Sequence, residues 1–219
     1  MSVVRRGLAG GGALAAGLGL VLWLGGGARA GGASEGPTRA APPPPAALAE
    51  AIFASGCFWC AERDFEKAPG VVDVLSGYAG GTEPAPTYEE VSAGRTGHAE
   101  AVRVVYDPAR TSYAQLLTYF LHHTDVLDGG GQFCDRGKQY RPVIFPRTPG
   151  EKEAAKQALE GVRARFGRAP AVTLEEAKSF WVAESYHQDF SRKDPVRYTS
   201  YRKGCGRDAR VRALWGDTP

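Results

Sequence analysis

The chain has 219 residues, a net charge of +3 from 27 basic and 24 acidic side chains, and 43% apolar residues. So small a positive excess, spread along the chain, argues against a nucleic-acid footprint. Even the cluster Arg202, Lys203, Arg207, Arg210 and Arg212 reads as a solvated face.

The first segment is set apart from the rest. Arg5-Arg6 precedes an uncharged stretch rich in Gly, Ala and Leu, and Ala28-Arg29-Ala30 supplies a small-x-small cleavage site. Residues 1–30 therefore read as a secretory signal peptide, with the paired arginines pointing to twin-arginine export. An uncleaved membrane anchor is the alternative. Residues 31–47, with Pro42-Pro43-Pro44-Pro45, form a Gly/Pro-rich linker with nothing to bury, and the folded domain is expected over 48–219. Export would place it in the periplasm or outside the cell. In such an oxidising compartment its four cysteines can simply pair as two structural disulfides.

Within the domain, Ala51–Ser55 reads as a buried strand, Gly56 as a tight turn, and Cys60–Lys67 as a helix stopped by Pro69-Gly70. Val71–Tyr78 is a second strand, and 79–87 a long loop of turn formers. His98–Tyr106 is the clearest strand. Ser112–His122 carries Tyr113, Leu116, Leu117 and Phe120 at helical spacing. After Gly129-Gly130-Gly131 come a strand at Tyr140–Phe145, a long helix capped by Thr148 and running to about Phe166, and a short strand at 171–174. Beyond Phe180-Trp181 the chain reads as mostly irregular, with one short helix near Tyr186–Phe190. Strands alternating with helices indicate a two-layer α/β or α+β domain.

The chemistry starts at Gly56-Cys57-Phe58-Trp59-Cys60. A cysteine at a helix N-terminus meets unpaired N–H groups and the positive end of the dipole, which favour the nucleophilic thiolate and lower the thiol pKa. Phe58 and Trp59 can wall an apolar pocket beside the sulfur. Three other readings stand beside this one. Cys57 can be an inert buried thiol. Cys57-x-x-Cys60 can be half of a zinc site, although Cys134 and Cys205 form no second such pair. It can also be a thioredoxin-like dithiol. Strand alternation puts Glu100 on one face with Val102, Val104 and Tyr106, where lost solvation raises a carboxyl pKa toward neutrality and suits it to acid catalysis. An ordinary strand-end ion pair is the alternative.

Six segments occur in order: Gly56-Cys57-Phe58-Trp59, Gly77-Tyr78-Ala79-Gly80-Gly81, Pro86-Thr87-Tyr88-Glu89-Glu90-Val91, Thr96-Gly97-His98-Ala99-Glu100-Ala101-Val102, Tyr106-Asp107-Pro108 and Asp135-Arg136-Gly137-Lys138-Gln139-Tyr140-Arg141. The set closely resembles the peptide methionine sulfoxide reductase A family, from about Ala51 to Trp215. The resemblance implies reduction of the S epimer of methionine sulfoxide, in proteins or free. Cys57 matches the nucleophile, Glu100 the acid that protonates the sulfoxide oxygen, and Tyr88 and Tyr140 hydroxyl donors to that oxygen. Asp135 matches a residue that orients substrate and waters, and Phe58 and Trp59 the wall that receives the S-methyl group. The reaction would leave Cys57 as a sulfenic acid, which a second thiol condenses to a disulfide. An external, thioredoxin-like dithiol then reduces that disulfide, with no metal or organic cofactor.

The expected partners are oxidised proteins and the dithiol, not nucleic acid, and the expected state is a monomer. For the resolving thiol, flanking glycines favour Cys205, with Cys134 and Cys60 as relay candidates. The expected fold is a single two-layer α+β domain with a mixed central sheet, a ferredoxin-like plait, and a long irregular C-terminal tail. Two rivals are a thioredoxin-like oxidoreductase using Cys57 and Cys60, and a secreted binding module with permanently paired cysteines.

Overall fold

A computed structural model of the chain describes residues 47–216. The expected signal peptide and all but the last residue of the linker lie outside them. The central feature is a six-stranded mixed sheet on which three helices pack.

Strand β1 (Ala49–Ser55) leads through Gly56 into helix α1 (Phe58–Phe65), and β2 (Val71–Ala79) follows. Helix α2 (Tyr88–Ser92) precedes β3 (Ala99–Tyr106), and α3 (Tyr113–His122) follows it. The short strands β4 (Gly131–Gln132) and β5 (Asp135–Arg136) form a separate ribbon. A 3-10 turn, Lys138–Tyr140, then enters β6 (Pro142–Phe145). The long helix α4 (Pro149–Phe166) and strands β7 (Thr173–Leu174) and β8 (Phe180–Val182) complete the sheet. The chain ends in α5 (Phe190–Lys193), α6 (Pro195–Gly204) and α7 (Arg207–Trp215).

The sheet order is β7-β6-β1-β3-β2-β8. All neighbours are antiparallel except the parallel pair β6 and β7. The alternation expected for β3 is present: Val102, Val104 and Tyr106 join the main core, while Ala99 and Ala101 face a second, smaller one. The main core gathers Phe53 from β1, Phe58 and Phe65 from α1, Leu116, Leu117 and Phe120 from α3, and Ala155 and Val162 from α4. Phe53 is its hub, stacked on Phe65 at 5.2 Å and on Phe120 at 5.1 Å. Helix starts follow their caps: Ser112 accepts from Gln115 N–H, and Thr148 from Glu151 N–H.

The expected long irregular tail is corrected. Beyond β8 the chain makes turns at 185–189, not the short helix expected there, and then three helices. Asp194 caps α6 by accepting from Arg197 N–H, with Pro195 in the first turn. Gly206, at φ +65°, reverses the chain into α7. These helices bury few apolar side chains, Tyr198 in α6 and Val211 in α7, so their sequence carries no apolar period.

Candidate active site

The site grows from the joint between β1 and α1. Gly56 takes φ +80°, and a Cβ there would lie 2.5 Å from that of Gln132. This tight turn leaves Cys57 at the N-cap of α1, its carbonyl accepting from Cys60 N–H at 3.1 Å and Ala61 N–H at 3.2 Å. The next backbone N–H, of Phe58, donates to Glu100 Oε2 at 3.0 Å. The helix N-terminus therefore addresses the carboxyl of Glu100 rather than the Cys57 sulfur.

Both groups are buried, Cys57 6% exposed and Glu100 2%. Burial pushes the Glu100 carboxyl up to about 8, with the nearby Asp135 adding to the rise and the Phe58 N–H opposing it. Cys57 differs from the sequence expectation. Burial raises its pKa well above the ordinary thiol value, and a hydrogen bond with Cys60 adds to the rise. At rest the pocket therefore holds a protonated thiol and a protonated acid.

Cys57, Phe58, Trp59, Tyr88, Glu100, Asp135, Tyr140 and Tyr201 line one cleft of about 60 Å³, room for the end of one slender side chain. Every residue expected in the chemical step is here, brought from α1, the start of α2, β3, β5 and the 3-10 turn. Tyr88 and Tyr140 are half-buried phenols, both raised by lost solvation and by Glu100, Tyr88 to about 12. They stay protonated and can donate to an oxygen in the cleft. The apolar wall is braced from behind: Trp59 stacks on Phe190 at 3.7 Å, and its indole N–H donates to His187 Nδ1 at 2.9 Å. Glu184 accepts from Tyr78 Oη at 2.7 Å and from Tyr88 N–H at 2.9 Å, fixing the start of α2 beside the cleft.

Three of these residues, Tyr201, His187 and Glu184, were not singled out for the site from sequence. Tyr201 donates its hydroxyl hydrogen to Asp135 Oδ2 and lies within hydrogen-bond reach of the Cys57 sulfur. The Cys57 thiol gives its one hydrogen to Cys60, and the Tyr201 hydroxyl faces both Asp135 and the Cys57 sulfur as a donor, partly offsetting the rise in the thiol's pKa. No local motif marks this tyrosine, since it enters the site only because α6 folds back across α1.

The cysteines divide into two pairs. Cys134 and Cys205 form a disulfide, so Cys205 is neither free nor in an irregular tail but sits bonded at the C-cap of α6. Cys57 and Cys60 are free thiols in contact. Among the described residues, Cys134, Asp135 and Cys205 form the one group of three or more donors with metal-ligand spacing, and its two sulfurs are already joined. The zinc reading of Cys57-x-x-Cys60 finds no further ligands there.

A buried free thiol, a proton-holding carboxyl and phenol donors around a small apolar-walled cleft are the groups that a thiol-dependent oxidoreductase needs. Residues 49–219 match the family described as peptide methionine sulfoxide reductase, and the chain belongs to that family. It is 49% identical over 176 residues to the peptide methionine sulfoxide reductase MsrA 2 of Rhizobium meliloti, covering 79% of this chain and 88% of that one. It is 42% identical to an MsrA of Listeria monocytogenes, covering 77% and 96%. Among solved structures, Mxr1 of Saccharomyces cerevisiae in reduced form is similar at 30% identity, with a TM-score of 0.65 and 70% and 89% coverage. Methionine sulfoxide reductase A of Corynebacterium diphtheriae is similar at 31% identity, with a TM-score of 0.61 and 68% and 76% coverage. The chain is thus an oxidoreductase that reduces methionine sulfoxide.

Proposed function

We propose that the chain reduces the S epimer of methionine sulfoxide, protein-bound or free, with Cys57 as nucleophile and Glu100 as acid. What carries this reading is the placement of both groups, each holding its proton, against one small cleft walled by Phe58 and Trp59. The S-methyl group lies on the aromatic wall, and Tyr88 and Tyr140 donate to the sulfoxide oxygen. Glu100 protonates that oxygen as Cys57 attacks, and the Cys57 proton replaces the one Glu100 gave. The sulfoxide S–O bond breaks, a bond from Cys57 sulfur to oxygen forms, and the products are the thioether and Cys57 sulfenic acid. No net proton is consumed, which fits a site where both groups start protonated. Asp135 and Tyr201 position the thiol from the far side of the cleft.

Regeneration draws on an external, thioredoxin-like dithiol. We read the chain as a monomer exported to the periplasm or beyond, or held by an uncleaved anchor, on the strength of Arg5-Arg6 and Ala28-Arg29-Ala30. We also read the core as a ferredoxin-like plait. The succession β1-α1-β2-β3-α3-β6 with sheet order β6-β1-β3-β2 supports that reading.

The test uses racemic free methionine sulfoxide with excess dithiol. The parent consumes about half and stops, because the cleft distinguishes oxygen from methyl around sulfur. Cys57→Ser forms no methionine, since an unactivated hydroxyl neither attacks the sulfoxide nor yields a sulfenic acid. Methionine from the serine variant, or exhaustion of both epimers by the parent, overturns the assignment.

A further inference from the structure

Three donor side chains converge where the ribbon of β4 and β5 meets the end of α6. The sulfurs of Cys134 and Cys205 and a carboxylate oxygen of Asp135 all lie within 4.8 Å of one another. Among the described residues, Cys57 and Cys60 have no third donor at that spacing. The two sulfurs of the triad are joined as a disulfide, and Asp135 Oδ1 lies 3.9 Å from that of Cys134. Cys134 is exposed on the turn between β4 and β5, so its side chain can rotate away from Cys205 once the S–S bond is open.

We propose that this triad is a redox-gated metal site: once the disulfide is opened, Cys134, Asp135 and Cys205 hold one zinc ion, which takes over the cross-link between β5 and α6. In the first step an external dithiol reduces the Cys134–Cys205 bond and leaves as its own disulfide, giving two thiols. The ion then displaces both thiol protons and forms two zinc–thiolate bonds, and the Asp135 carboxylate supplies a third ligand. Water takes the fourth tetrahedral position on the exposed side, beside Cys134. Reoxidation of the two thiolates by any disulfide restores the S–S bond and releases the ion.

The donor set and its surroundings favour zinc. Ligands at about 2.0–2.3 Å from a tetrahedral zinc stand about 3.3–3.8 Å from one another. Asp135 Oδ1 is already close to that distance from the Cys134 sulfur, and the two sulfurs need only part from bonding contact. Two soft thiolates select zinc over calcium or magnesium, which take oxygen ligands. The carboxylate works at both ends: Oδ1 faces Cys134, while Oδ2 accepts from the Tyr201 hydroxyl. Tyr201 thus orients the ligand from behind, the part that hydrogen-bonded partners of metal-bound carboxylates play. Three anionic donors against a divalent ion leave one surplus negative charge, and the Arg207 and Arg136 charges already act on Asp135. Cys205 caps α6, so the ion holds that helix in place when the disulfide no longer does.

The test uses cobalt(II) as a coloured stand-in for zinc. The full chain, reduced with a phosphine and freed of it, should bind about one cobalt ion, with the visible bands of a tetrahedral site and a thiolate charge-transfer band. Zinc should then displace the cobalt. The disulfide form should show neither band. The Cys57→Ser, Cys60→Ser double variant should bind as the parent does, and the Cys134→Ser, Cys205→Ser double variant should not bind. Tyr201→Phe should weaken binding by about 10–100-fold, and Asp135→Asn at least as much. Limited proteolysis of the parent needs no variant: reduction should hasten the loss of α6 and α7, and zinc should restore the resistance of the disulfide form. A reduced parent without the bands, bands in the disulfide form, or bands that survive loss of Cys134 and Cys205 overturn the proposal. So do unchanged binding by Asp135→Asn and proteolysis of the reduced chain that zinc does not slow.

Discussion

Glu100 is the residue on which the chemistry is most exposed to test. Its carboxyl titrates near 8 because it is buried beneath α1, so it can act as an acid at neutral pH. Glu100→Gln keeps the hydrogen bond from Phe58 N–H but has no proton to give. We expect the chemical step to slow by about 10²–10⁴-fold. The parent rate should fall above about pH 8, while the variant loses that limb of the profile. Stability gives a second readout. The folded value lies above the ordinary glutamate value of 4.5, so between 4.5 and about 8 the folded chain binds a proton that the unfolded chain releases. Glu100 then contributes a decline of about 1.4 kcal/mol per pH unit across that window, and the glutamine variant should decline less steeply by that amount, keeping the part due to Glu62, which burial raises to about 7. Denaturant titrations across the window would show it. At this scale the sequence was informative wherever a residue sits in a local motif, as Cys57, Phe58, Trp59, Tyr88, Glu100, Asp135 and Tyr140 do. It was silent on Tyr201, Glu184 and His187, whose partners lie 66, 96 and 128 residues away. It also misjudged Cys57, because burial is a property of the assembled site and a helix N-terminus is a property of the segment.

Among elements, the joint between β1 and α1 sets the site. Gly56→Ala would force a side chain into φ +80° and against Gln132. Gln132 is itself committed, accepting from Asp125 N–H at 2.9 Å and donating to the Asp125, Asp128 and Gly131 carbonyls. The substitution should cost about 1–3 kcal/mol and shift Cys57 relative to Glu100. A lowered denaturation midpoint together with a lowered rate would report both; an unchanged rate would mean that the turn does not aim the nucleophile. The elements with a strong apolar period, β1, β3 and α3, were legible. Helix α2 carried a readable signal that the loop reading of its approach obscured: Thr87 and Glu90 form a reciprocal capping box. Helix α6 had a start signal too, Asp194 before Pro195, but α6 and α7 carry no apolar period, since they are held by ion pairs and ring stacking rather than by an apolar stripe.

At the scale of the whole molecule, the C-terminal helices are fastened beneath Cys57 by Arg207. Only 2% exposed, Arg207 donates to the Ser55 carbonyl at 3.0 Å, to Ser55 Oγ at 3.2 Å and to the His123 carbonyl at 2.9 Å, and it faces Asp64. Arg207→Ala leaves the buried carboxylate of Asp64 with half its compensation and should destabilise the fold by about 3 kcal/mol or more. Early proteolytic loss of α6 and α7, with activity falling in parallel, would confirm that the tail is held from below. Resistance equal to that of the parent would mean the disulfide and Trp59 suffice.

Ser55 and Arg207 are 152 residues apart, and Tyr201 reaches the cleft from the same distant end. A ribosome that has completed the sheet has therefore not yet made the enzyme. Cys57 emerges early and waits, without Tyr201 beside it or Arg207 beneath it, until residues 201–207 have been synthesised. A message cut between the codons for Phe190 and Tyr201 would therefore yield a protein that keeps Cys57 but lacks the Tyr201 and Arg207 that close in around it.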